Sequence, residues 1–210
     1  MKKLTLLLAL LLSLSCLLIA CDSTSTEAPE STASETAAAV TEAPTEAPTE
    51  APTEAPTEAA KLEGTMEELL YKVIEIQSVE FMGGAMALDL TDTSEDGLWM
   101  IKNYTGLDSA EGITEAAFYE PMMGSIPYSM VMVRTAEGAD VAAVAEGMKT
   151  GIDQRKWICV EADDLQVVSF GDVVMLIMVG SDTGMTSQSF VDAFQKVCAN
   201  QFENAELTVY

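Results

Sequence analysis

The stretch Asp92-Thr93-Ser94-Glu95-Asp96-Gly97 places oxygen donors at its first, third and fifth positions and glycine at its sixth, as a calcium-binding loop opens. The twelfth position is Asn103, which cannot supply the bidentate acid that closes such a loop, and Ser94 followed by acids equally starts a helix. Asp163-Asp164 offers two carboxylates for glycosidase-like acid and base work, yet adjacent acids before a strand read first as solvated loop. The chain contains no histidine, which removes the commonest general base, the usual zinc ligand and every histidine-containing triad. It also has neither a phosphate-cradling glycine loop nor a G-x-S-x-G elbow. The expectation is therefore no catalytic residue, no metal ligand and no cofactor.

Four cysteines remain. Cys16 falls in an apolar leader and Cys21 ends it. Cys198 shares a helical face with Phe190, Phe194 and Val197, so it reads as a small buried apolar residue. Cys159 could pair with Cys198 outside the cytoplasm, but nothing in the spacing requires it. A catalytic thiol would lack a histidine to activate it. Met130 and Met132 lie on one strand face as copper ligands could, but among valines they read as core filler.

The leader names the address. Lys2 and Lys3 precede a leucine-rich segment from Leu4 to Leu18, too short and too early for a spanning helix, and Leu18-Ile19-Ala20-Cys21 closes it as a lipobox. In bacterial lipoproteins a diacylglycerol is attached to that cysteine and the chain is cut before it. Residues 1–20 are thus expected to be a signal peptide and Cys21 the lipidation site, with the membrane as a partner through that lipid. Asp22 resembles an inner-membrane retention signal where two membranes exist, and with a single membrane no sorting arises. Both routes lead to the outer face of the cytoplasmic membrane.

Residues 21–61 then read as a tether. Four T-E-A-P units from Thr41 to Pro56, followed by Thr57-Glu58-Ala59-Ala60, supply no aromatic and almost no apolar residue beyond alanine. Such a chain cannot bury a core, and regular proline with glutamates of one sign favours an extended spacer. At about 3.1 Å per residue, the segment from Thr41 to Ala60 would reach roughly 60 Å. Between Lys61 and Tyr210 there are 25 acids and 8 bases, a formal charge of −17. That field repels nucleic acid and anionic lipid surfaces, so neither is an expected ligand.

One globular domain is expected over 62–210. Thr65-Met66-Glu67-Glu68 is a capping box that opens a helix with Met66, Leu69, Leu70, Val73 and Ile74 on one face. After a break at Gly83-Gly84, a second helix runs from about Ser94 to Gly106, with Leu98, Ile101 and Tyr104 inward. Two similar units follow. Strands near Ile113–Tyr119 and Tyr128–Arg134 lead to a helix from Asp140. Strands at Leu165–Phe170 and Val173–Val179, turned at Gly171-Asp172, lead to a helix near Ser187 carrying Phe190, Val191, Phe194, Val197 and Cys198 inward. The fold class is α+β: two ββα units form a four-stranded, mostly antiparallel sheet with helices on one face, preceded by one or two N-terminal helices. The run Val173–Val179 is its buried central strand.

The lipobox, the acidic tether, the step Tyr104-Thr105-Gly106-Leu107-Asp108, the strand and helix ending near Arg155 and the hairpin at Gly171 together resemble an uncharacterised family, domain of unknown function four-three-five-eight, of lipoproteins from clostridia-type gut Firmicutes. The resemblance spans about Thr65 to Phe202 and implies location and domain type alone. The family pattern has an acid in the strand where this chain carries Tyr128-Ser129-Met130, so no surface role is carried over there, and it supplies no catalytic residues.

The reading that follows is a lipid-anchored envelope protein whose domain binds or scaffolds an envelope or protein partner without catalysis. The alternatives are a hydrolase of envelope polymers using clustered acids, and an accessory solute-binding lipoprotein. A deep pocket with converging acids would favour catalysis, a flat sheet face with exposed apolar residues would favour a partner, and neither of these would favour a spacer-mounted structural module.

Overall fold

The computed structural model describes residues 60–210. The leader, Cys21 and the tether through residue 59 lie outside the described residues.

Helix α1 (Met66–Ile76) begins with the expected capping box. Thr65 accepts from the Glu68 amide, the Glu68 side chain accepts from the Thr65 amide, and Met66, Leu69, Leu70 and Val73 are buried. Helix α2 (Glu95–Thr105) is capped by Ser94 and stopped by Gly106 in the left-handed conformation. Strands β2 (Ile113–Pro121) and β3 (Tyr128–Thr135) lead to α3 (Val141–Gly151), capped by Asp140. Strands β4 (Asp164–Phe170) and β5 (Val173–Val179) lead to α4 (Ser187–Ala199), capped by Thr186. The two ββα units are present, and the fold is α+β.

The sheet differs from expectation in size and in cover. It has six strands in the order β1-β2-β3-β5-β4-β6, all paired antiparallel. The added strand β1 (Gly83–Ala87) occupies the expected glycine break. Gly-Gly-Ala-Met-Ala lacks the branched and aromatic residues that mark a strand, but Gly83 has to be small: a Cβ there would come within 2.7 Å of the Glu120 carbonyl and 2.9 Å of the Tyr119 ring. At the other edge, β6 (Thr208–Val209) is only two residues long.

Helices cover both faces, where one was expected. On the first, α1 and α4 pack Leu69, Leu70, Phe190 and Phe194 against Tyr128, Met130, Met132, Met175 and Ile177. On the second, α3 packs Val144, Ala145 and Met148, with Met100 and Tyr104 of α2, against Phe118, Val131, Val133, Leu176 and Met178. The cause lies in β5. All seven of its residues are buried and apolar, and side chains alternate between faces, so such a strand needs cover on both sides. Leu98 of α2, expected inward, is exposed.

The described chain enters at one end of the sheet. The Ala60 carbonyl accepts from the Asp172 amide (3.1 Å), and the Leu62 amide donates to Asp172 Oδ1 (3.2 Å). Arg134 locks that entry. Its Nη1 is 2.5 Å from Asp172 Oδ2, Nη2 donates to the Gly64 carbonyl (2.7 Å), and Nε meets Glu115 Oε2 (3.3 Å). Glu115 Oε1 in turn accepts from the Met66 amide at the start of α1 (2.8 Å).

Candidate functional site

The residues first examined for chemistry are set to structural work. Asp92 Oδ1 accepts from the Ser94 amide (2.9 Å), and Ser94 Oγ accepts from the Gly97 amide (3.2 Å), so the acidic loop is the start of α2. The Ser94 hydroxyl and amide hold the Asp92 carboxyl below its ordinary value. The pair Asp163 and Asp164 is split. Asp163 accepts from the amide and hydroxyl of Ser181 (both 2.7 Å), and Asp164 accepts from the Ser187 amide (2.8 Å) and hydroxyl (2.5 Å) at the start of α4. Cys159 and Cys198 are both free thiols. Cys159 is exposed and Cys198 is buried, where desolvation pushes its pKa up to about 12. Met130 and Met132 lie wholly within the core. Cys21 lies outside the described residues.

The Tyr104–Asp108 step leads to a group that inspection of the sequence missed. Tyr104 stacks on Phe118 with ring centroids 3.6 Å apart. Thr105 Oγ1 donates to the Ile101 carbonyl (2.7 Å), and Asp108 pairs with Lys102 (2.8 Å). Gly106 presses α2 onto the end of α3, where a Cβ would come within 2.6 Å of Ile152 N and the Met148 carbonyl. The chain leaving α3 then delivers Lys156, whose Nζ lies 2.5 Å from Glu120 Oε1 on β2. The same Nζ donates to Ser129 Oγ on β3 and to the Asn103 carbonyl (both 3.2 Å), and sits 4.7 Å from the Tyr104 ring centroid.

Serine beside lysine is the histidine-free route to a nucleophile, with a neutral amine as base. This geometry works against it. Burial lowers the Lys156 pKa, but Glu120 opposes that shift and favours the proton on Nζ. Ser129 is completely buried, so a substrate carbonyl has no approach to its hydroxyl. The group joins α2, the loop after α3 and the β2–β3 hairpin by one buried charge pair.

Two open concavities occur among the described residues, the first sharing Trp157 with the Lys156 group. One of about 380 Å³ is lined by Arg155, Trp157, Cys159, Val160 and Glu161. The other, about 600 Å³, lies along residues 61–65 beside Arg134.

Several exposed large apolar residues are scattered, Ile158 and Trp99 among them, but three gather at one place. Met82 and Met122 stand side by side, the Met122 amide donating to the Met82 carbonyl (2.9 Å), and Met123 follows in the β2–β3 turn. Their exposures are 78, 77 and 66 %. Met86 of β1, opposite Phe118, is exposed as well. Met82, Met122 and Met123 lie where β1 begins and β2 ends, opposite the Arg134 end where the chain enters. Pro121 and Gly124 bracket Met122-Met123 in the sequence, and two large apolar residues inside a turn were the available signal. Comparison with protein-family models, with curated proteins and with solved structures gave no match.

Proposed function

We propose that the protein is a lipid-anchored, extracytoplasmic envelope protein, a lipoprotein of the kind its family resemblance implies, whose domain binds a protein partner and does not turn over a substrate. One observation carries the binding part: Met82, Met122 and Met123 are exposed together at one end of the sheet while the chain enters at the other. Exposed apolar patches on soluble domains mark interaction sites, and methionine adapts to a partner's contours. The eight residues of β3 separate the two ends by about 25 Å. A domain held through residue 60 and lipidated at Cys21 presents its methionine end away from its point of attachment. The acidic surface disfavours nucleic acid and anionic lipid there. Asp163, bonded to Ser181, and Asp164, bonded at the start of α4, lend a hydrolase no support.

Photocrosslinking in cells tests both parts. A photoreactive residue in place of Met123 is expected to give a discrete protein adduct in the membrane fraction, and one in place of Glu137, exposed just past the Arg134 end of β3, is expected to give none. Cys21→Ser should release the chain to the medium or leave it as unprocessed precursor. Equal adducts at both positions would remove the binding end, and membrane retention of a trimmed Cys21→Ser chain would remove the anchor.

A further inference from the structure

We infer that the open edge of β1 receives an extended segment of the partner, one that alternates basic and apolar side chains and adds to the sheet as a seventh strand. The inference rests on the partner-binding reading and specifies its mode. The two sheet edges are treated differently. Along β4, the chain's own C-terminal residues Thr208 and Val209 pair as β6, and the Tyr210 amide donates to the Val167 carbonyl (3.0 Å). No described strand covers β1. The bonds of Met122 to Met82 and of Leu88 to Ala116 fix the ladder alternation, which points the amides of Gly83, Ala85 and Ala87 away from β2. Ala85 confirms the direction, because its amide donates outward to the Tyr71 hydroxyl (3.2 Å). That hydroxyl stands where the carbonyl of an added strand would accept. Among the described residues, nothing accepts from Gly83 or Ala87.

Edges that must stay unpaired carry lysine, proline or inward charge, and Gly-Gly-Ala-Met-Ala has none of these. A strand added here would lay alternate side chains beside Met86 and Met82, which supplies the apolar half of the pattern. Charge supplies the basic half. Glu80 and Asp89 stand exposed at the two ends of β1, and no base lies between them. A second copy of this chain would set acid against acid, whereas a cationic segment is attracted.

The test uses the Cys21→Ser chain and two synthetic peptides, one alternating valine with lysine and one alternating valine with glutamate, with amide hydrogen exchange as readout. The lysine peptide is expected to slow exchange at Gly83 and Ala87 about tenfold, and the glutamate peptide to leave both unchanged. Ala87→Pro removes an outward donor without removing a bond to β2, and Met86→Lys repels the peptide; each should abolish the slowing at Gly83. No slowing, or equal slowing by both peptides, overturns the inference. Slowing confined to Met122–Gly124 overturns strand addition while leaving the methionine end as a binding surface. A dimer in sedimentation that Ala87→Pro dissolves would put a second copy on β1 and overturn the partner strand.

Discussion

Replacing Lys156 by methionine is expected to destabilise the domain by about 3–5 kcal/mol, the loss typical of stripping one partner from a buried ion pair. Glu120 Oε1 is buried, Lys156 is its ionic contact, and no well-aligned hydrogen bond from another group would replace it. Replacing both, Lys156→Met with Glu120→Leu, should return most of that loss, because Tyr104, Phe118 and Trp157 already provide an apolar surround. The pair also has a signature in pH. The folded Lys156 pKa is depressed, so between that lowered value and the ordinary 10.5 the unfolded chain binds more protons than the folded one. The stability contributed by this group therefore rises with pH through that window, and Lys156→Met lacks the rise. Urea unfolding across alkaline pH reads both effects. A single variant as stable as its parent would show that the pair holds nothing.

Arg134→Met is expected to cost about 3 kcal/mol, since it leaves the largely buried Arg134 position without its charge, the part-buried Asp172 without its cation and the Gly64 carbonyl without its donor. The damage should be directional. Arg134 binds residues 60–66 to β2, β3 and the β4–β5 turn at once, so its loss should free that segment before the core opens. Limited proteolysis is then expected to cut faster around Leu62, with the remaining fragment still folded. An unchanged cutting rate together with an unchanged urea midpoint would contradict the lock.

Much of the fold was legible because its punctuation is local. Thr65, Ser94, Asp140 and Thr186 each cap the helix that follows, and Gly106 ends α2 through a left-handed residue. Gly171, also left-handed at φ 58°, turns the β4–β5 hairpin. What escaped is non-local. The strand character of β1 comes from β2 beside it and not from its own glycines and alanines, and β6 is too short to have a pattern. The second covered face was implied by the unbroken apolar run of β5, which alternation would have interrupted had one side faced water. Lys156 and Glu120 lie 36 positions apart and look like surface residues until the end of α3 sets one on the other. The methionines divide by place: Met130, Met132 and Met175 fill the core as their valine neighbours suggest, whereas Met122 and Met123 sit in a turn where filling is impossible.

The claim that the methionine end is a binding surface is tested most directly by its own chemistry. Methionine thioethers oxidise to sulfoxides where solvent reaches them, and Met82, Met122 and Met123 are the most exposed methionines among the described residues. Brief peroxide treatment of intact cells and of the purified chain, followed by mass spectrometry, gives an oxidation rate for each. If a partner covers that end, Met82, Met122 and Met123 oxidise several-fold more slowly in cells than in the purified chain, with peroxide dose matched by an added reference peptide. Equal rates at all three in cells and in the purified chain would contradict it.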